Sequence, residues 1–172
     1  MRALNIIFFV LSISVISIGQ ASTDNDDRVG QFSIFISKGY RYVSISTDYS
    51  NEWSNIGIEI QKTWKINERV KLALRSGWIK WPKNRETVIP LLLGPGYDII
   101  DSKSFRVMAY GTLGPMGVIG NDYAGVFAKY ELGFQFSSSN TGGLTAGISW
   151  GQDVVFHPSD YAVVKGSVGW IF

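Results

Sequence analysis

The sequence predicts an all-β protein, an eight-stranded antiparallel up-and-down transmembrane β-barrel, on three observations. Apolar and polar residues alternate with period two almost continuously from Gln31 to Phe172, interrupted by seven polar or Gly/Pro-rich breaks. One face of that alternation is bulky and aromatic, whereas the other carries Gly, Ser, Thr and a few charges. After Ile18 no run is apolar and long enough for a membrane helix, which needs ~20 residues.

The first residues read as an export signal. Met1-Arg2 gives a positive start, Leu4 to Ile18 an apolar stretch softened by Ser12, Ser14 and Ser17, and Gly19-Gln20-Ala21 the small residues a signal peptidase reads. Cleavage is expected after Ala21. The apolar stretch is too short for an anchor helix, and no Cys follows it to accept a lipid. The expected organisation is a signal peptide over 1–21, a mobile polar segment over 22–30 and one barrel domain over 31–172. No second domain, such as a peptidoglycan-binding module, is expected.

Strands are expected at about 31–45, 55–66, 70–80, 87–100, 104–114, 124–136, 143–154 and 161–172. The breaks at Asn67-Glu68-Arg69, Asp101-Ser102-Lys103 and 137–140 are tight and polar; those at 47–53, 82–86, 115–123 and 155–160 are mostly longer. Alternating short and long connections describe a meander. Gly114-Pro115-Met116-Gly117 reads as a turn rather than a phosphate loop. Pro90 and Pro95 fall inside the fourth strand, where a closed barrel has no free edge, so a bulge or frayed ladder is expected there.

Facing follows from size. The second strand sets Ile56, Ile58, Ile60, Trp64 and Ile66 against Gly57, Glu59, Gln61, Thr63 and Lys65, and the sixth, seventh and eighth divide in the same way. A soluble barrel would turn the apolar face inward, but the interior of eight strands is just wide enough for side chains to fill. Rows of Ile, Trp and Phe therefore belong outside, against lipid. Lys62 then falls on the lipid face and is expected to snorkel toward the periplasmic rim. Trp64, Phe105, Phe134, Phe136, Trp170 and Phe172 gather near the short turns, on the periplasmic side, and Tyr40, Tyr42, Trp78, Trp81 and Phe156 near the longer loops. Two such bands are what interfacial girdles require.

Composition narrows function. A net charge of +2, dispersed along the chain, gives nucleic acid nothing to bind. The absence of cysteine removes disulfides and metal-thiolate sites, no metal-ligand spacing occurs, and no cofactor is expected.

Ending on Phe172, with Trp170, Val168 and Val164 alternating before it, the last strand resembles the segment that bacterial outer-membrane proteins present to the barrel-assembly machinery. Leu93-Gly94-Pro95-Gly96-Tyr97 and Glu131-Leu132-Gly133-Phe134-Gln135-Phe136, each before a tight turn, resemble small barrels of the OmpX/Ail and OmpA transmembrane type. The resemblance implies a barrel in the Gram-negative outer membrane, with Phe172 and Trp170 as assembly signal. The implied partners are outer-membrane lipid and lipopolysaccharide, the assembly machinery and an unidentified extracellular ligand. A monomer is expected. The connections are short beside those of host-binding barrels.

Two constellations could carry chemistry. Glu59, Lys71, Arg75, Arg106, Lys129, Glu131 and Lys165 fall on inward positions and should satisfy one another as a plug, with a narrow ion path as the alternative. His157, the only histidine, lies in Phe156-His157-Pro158-Ser159-Asp160 in the last outward loop, with Asp153 nearby. A His, a Ser and an acid at the outer rim resemble lipid A-modifying barrel enzymes, the palmitoyltransferase and the 3-O-deacylase, which would make His157, Ser159 and Asp153 a catalytic set. The deacylase pattern places His-x-Ser in the penultimate strand, whereas that strand here reads Ile148-Ser149-Trp150-Gly151. A solvated turn is the plainer reading of the His157 segment. The expected function is a non-enzymatic barrel contributing to envelope integrity or surface interaction, then a lipid A hydrolase or acyltransferase, then a narrow pore.

Overall fold

The computed structural model describes residues 30–43, 54–82, 85–102, 104–120, 124–138, 142–154 and 158–172. The expected signal peptide, residues 22–29, Phe156 and His157 lie outside them. The described residues form β1 (Gln31–Val43), β2 (Ser54–Lys65), β3 (Val70–Trp81), β4 (Glu86–Asp101), β5 (Arg106–Ile119), β6 (Ala124–Ser137), β7 (Gly143–Val154) and β8 (Pro158–Ile171). Each strand pairs antiparallel with the next, and β8 returns to β1 from Ser33↔Ile171 to Val43↔Tyr161, closing the barrel. Closure leaves no strand edge unpaired, the condition for a sheet to be stable in lipid.

The side-chain alternation read from sequence becomes an inversion of ordinary polarity. Ile36, Ile58, Trp78, Leu113 and Val126 point outward and are 61–73% exposed, whereas Glu59, Arg75, Glu131 and Lys165 point inward and are 3–4% exposed. Water would penalise the first group and leave the second without reason to be buried. A hydrocarbon surround favours both placements.

Several boundaries differ from expectation. Gly114-Pro115-Met116-Gly117 is not a turn: β5 runs through it to Ile119, paired with β6 at Gly114↔Lys129, Pro115↔Ala128 and Met116↔Phe127. Pro115 is tolerated because the β4–β5 pairing lapses between Pro90↔Met116 and Leu93↔Leu113, where no N–H is demanded of it. Pro95 sits in the next lapse of that ladder, before Gly96↔Tyr110, and Pro90 in a lapse of the β3–β4 ladder between Ser76↔Leu91 and Ile79↔Val88. The expected fraying is thus present at both prolines, while the register shift itself lies between Asp98 and Ile100.

β8 likewise starts at Pro158, so Ser159 and Asp160 belong to a strand rather than a loop. Consequently 82–85, 120–123 and 155–157 are as short as 66–69, 102–105 and 138–142 at the opposite end, and only 44–53 is long. The expected short–long alternation fails because Gly and Pro were read as breaks at positions where the ladders absorb them.

Trp81 is also corrected. It shares the inward phase of β3 with Ala73, Arg75 and Ile79, is 4% exposed, and is no part of a girdle. Around the rim nearer the chain ends, Trp170, Phe172, Phe134 and Phe105 are exposed as expected, and Tyr40 and Trp78 mark the far rim. The side chain of Tyr42 lies outside the described residues. Lys62 extends over the ring of Trp64, which is nearer that rim, with its Nζ 5.3 Å from the centroid.

Candidate functional site

The interior is layered. Nearest the chain ends, Asp98 of β4 accepts a hydrogen bond from Arg106 Nε at 2.7 Å and pairs with Lys71 Nζ at 2.8 Å. Arg106 also donates from Nη1 to Gln31 Oε1 at 2.5 Å, tying the start of β1 into the layer. Above it lies a neutral polar layer, in which Gln61 donates to Gln135 Oε1 at 2.8 Å and Gln135 donates to Thr145 Oγ1 at 3.1 Å.

The middle layer gathers side chains from six strands. Arg75 Nη1 reaches Glu131 Oε1 at 2.5 Å and Nη2 lies 3.5 Å from Glu59 Oε2. Lys165 Nζ bridges Glu59 Oε2 at 2.6 Å and Glu131 Oε2 at 2.9 Å. Arg75 also donates to the Tyr110 hydroxyl, which donates to Glu131 Oε1 at 3.2 Å. The guanidinium carbon lies 4.7 Å from the Tyr110 ring centroid and 5.8 Å from the Phe35 centroid. Two cations face two carboxylates, so the layer is neutral, as a weakly solvated interior demands.

Small residues create the room for these long side chains. Glu59 is paired with Gly77, Glu131 with Gly151, and Lys165 with Gly39 and Ser149. A Cβ on Gly77 would come within 2.8 Å of Glu59 Cγ and 2.6 Å of the Ile58 carbonyl oxygen, so only glycine fits there.

At the far end the interior turns apolar: Ile79, Trp81, Val88, Met116, Val118 and Val163 form one buried cluster with Phe127 against it. The expectation of a lumen filled by small residues and ion pairs therefore holds only for its lower part. Between the apolar and charged layers remains a cavity of about 10 Å³, room for at most one water.

Of the sequence-expected set, Glu59, Arg75, Glu131 and Lys165 come together, and Lys71 and Arg106 form a separate group. Lys129 is buried on β6, in register with Asp153. Asp98 and Tyr110 were missed. Asp98 shares the inward phase of Leu92 and Gly96, a signal legible had β4 been divided into faces despite its prolines. Asp153 and Ser159 lie on adjoining strands at the far end, beside the register shift between Gln152 and Val154, and their side chains are outside the described residues. Trp170 and Phe172 face outward, and the Phe172 N–H donates to the Phe32 carbonyl at 2.8 Å. Among the described residues no group of His, Cys, Asp and Glu could hold a metal ion.

The middle layer can hold strands together and exclude water. Arg75, Glu59, Glu131 and Lys165 are paired with one another across the lumen.

No family model and no curated protein matches the sequence. Solved structures do match in fold. Neisserial surface protein A is 12% identical, with a TM-score of 0.62 over 83% of this chain and 95% of that one. The outer membrane enzyme PagL is 12% identical, with a TM-score of 0.59 over 81% of this chain and 98% of that one. The N-terminal β-barrel domain of Pseudomonas aeruginosa OprF is 15% identical, with a TM-score of 0.52 over 83% of this chain and 99% of that one. The chain has the fold of the small eight-stranded outer-membrane barrels.

Proposed function

We propose that the protein is a monomeric integral barrel of the Gram-negative outer membrane that supports envelope integrity or surface interaction and catalyses no reaction. The inverted polarity carries this reading: an outward face of exposed Ile, Trp and Val around an interior of neutralised charge. The fold of outer-membrane proteins supports the location. In this reading the chain ends face the periplasm, export removes residues 1–21, and the assembly machinery recognises Trp170 and Phe172. Cell fractionation tests it. The protein is expected in the outer-membrane fraction, beginning at Ser22 and migrating differently on gels with and without boiling. Recovery as a periplasmic protein needing no detergent would sink the proposal.

A second reading, a lipid A hydrolase or acyltransferase, draws on the fold shared with PagL and on strands that bring Asp153 and Ser159 to one end. His157 is the sole imidazole available to it as general base. His157→Ala should leave lipid A acylation unchanged under the first reading and abolish a protein-dependent change under the second. A conducting pore is opposed by the apolar layer and the 10 Å³ cavity beneath it.

A further inference from the structure

On β1 to β3 the outward face carries three lysines, Lys38, Lys62 and Lys80, and no carboxylate among the described residues. Lys62 belongs to the near rim. Lys38 and Lys80 are both in register with Ile56, so they stand on one ladder row on either side of a single isoleucine, about 10 Å apart at two strand spacings. Both are exposed, and Lys38 Nζ lies 5.6 Å from the centroid of Tyr40, which marks the far rim. On its other flank Lys38 is in register with Gly166, which is in register in turn with Ile148. A Cβ on Gly166 would meet nothing within 4 Å. The outward surface therefore sinks into a trough along the β8 seam, walled by Ile36, Ile148, Val168 and Trp170.

We infer that this surface binds one lipid carrying two separated phosphates, with Lys38 and Lys80 each meeting a phosphate and an acyl chain lying in the trough over Gly166. The site rests on the membrane reading given above. Charge complementarity selects the occupant: an ammonium on an apolar face, with no carboxylate beside it among the described residues, is neutralised by an external anion, and lysine serves phosphate as a point charge. Diffuse attraction to headgroups would require neither a shared ladder row for the lysines nor a glycine-floored trough beside them. A second barrel copy would fill the trough and bury both ammoniums unpaired.

The test uses the whole mature protein in phosphatidylcholine vesicles doped with either bisphosphoryl or monophosphoryl lipid A. After mild detergent extraction, native mass spectrometry counts the lipid retained per barrel. The unaltered protein should retain the bisphosphoryl form about tenfold better, the factor that ~1.4 kcal/mol provides. Lys38→Gln with Lys80→Gln should erase that preference, Gly166→Leu should lower retention of both forms, and Lys62→Gln should change neither. Equal retention of the two forms by the unaltered protein, or a preference surviving the double substitution, would overturn the site. An equal loss in Lys62→Gln would do the same. A chain that never enters the vesicles, read by unchanged migration on boiling, overturns the membrane reading together with the site; an inserted barrel without preference overturns the site alone.

Discussion

Replacing Glu131 by Gln asks whether the middle layer is dry and mutually neutralised or wet and screened. Glu131 is 3% exposed and meets Arg75 at 2.5 Å and Lys165 at 2.9 Å. Glutamine keeps the shape and one acceptor but leaves two cations facing Glu59 alone. At an effective dielectric of about 20, a pair of unit charges ~4 Å apart is worth ~4 kcal/mol. Removing one member of a buried pair costs about 3–5 kcal/mol by experience, because the survivor stays buried and unpaired. The expected loss is therefore about 3–5 kcal/mol. Adding Arg75→Gln restores neutrality and leaves the 2.6 Å Lys165–Glu59 pair intact. The double variant should then be more stable than the sum of the single losses by roughly 2 kcal/mol, within the range of contacting pairs. Denaturant unfolding in lipid vesicles, followed by tryptophan fluorescence and by the gel shift on boiling, measures all four corners of the cycle. A single loss below about 1 kcal/mol, the scale of exposed pairs, with additive behaviour in the double variant, would refute a dry interior.

Three further outcomes are expected. Ile58→Arg, at an outward position 61% exposed, should cost about 2–4 kcal/mol in vesicles, while Glu68→Arg in the β2–β3 turn should stay within about 0.5 kcal/mol; equal losses would mean the facing is wrong. Gly169→Val should block closure, because even its Cβ would stand 2.0 Å from the Ile34 carbonyl oxygen across the β1–β8 seam, and a normal yield of folded barrel on refolding would contradict this. Deleting Phe172 should reduce the amount inserted in cells more than it shifts the unfolding midpoint, since its exposed ring lies 6.2 Å from that of Phe32 and its N–H donates to the Phe32 carbonyl at the seam; unchanged insertion would count against an assembly role.

Strand number, antiparallel order and the facing of β2, β6, β7 and β8 were legible because period-two alternation survives in the sequence wherever lipid and lumen make opposite demands. Strand ends were less so. Pro115 and Pro158 read as breaks, yet a ladder can lapse on one side of a proline while continuing on the other, and no local residue pattern announces that. The charged interior was legible from parity for Glu59, Arg75, Glu131 and Lys165, but its division into two groups was not. Which charges meet depends on stagger between strands distant in sequence, as in the 106-residue separation of Lys165 from Glu59. Trp81 failed for a related reason: an aromatic at a strand end suggests a girdle, and only its phase with Arg75 and Ile79 reveals that it fills the lumen.

The same residue type makes the clearest contrast between the two faces of the wall. Lys165 is buried and held by two carboxylates of its own chain, Glu59 at 2.6 Å and Glu131 at 2.9 Å. Lys38 and Lys80 stand on the opposite face of the same sheet, where the described residues of β1 to β3 offer no carboxylate. Inside, neutrality is supplied by the fold and depends on the partners being fixed. Outside, it has to come from the surroundings, and water-free hydrocarbon cannot provide it. Two lysines flanking one isoleucine on such a face are stabilised when the surrounding leaflet brings an anion to them. The interior thus accounts for how the barrel stands closed, and the outward face near its far rim is where the proposed lipid site lies.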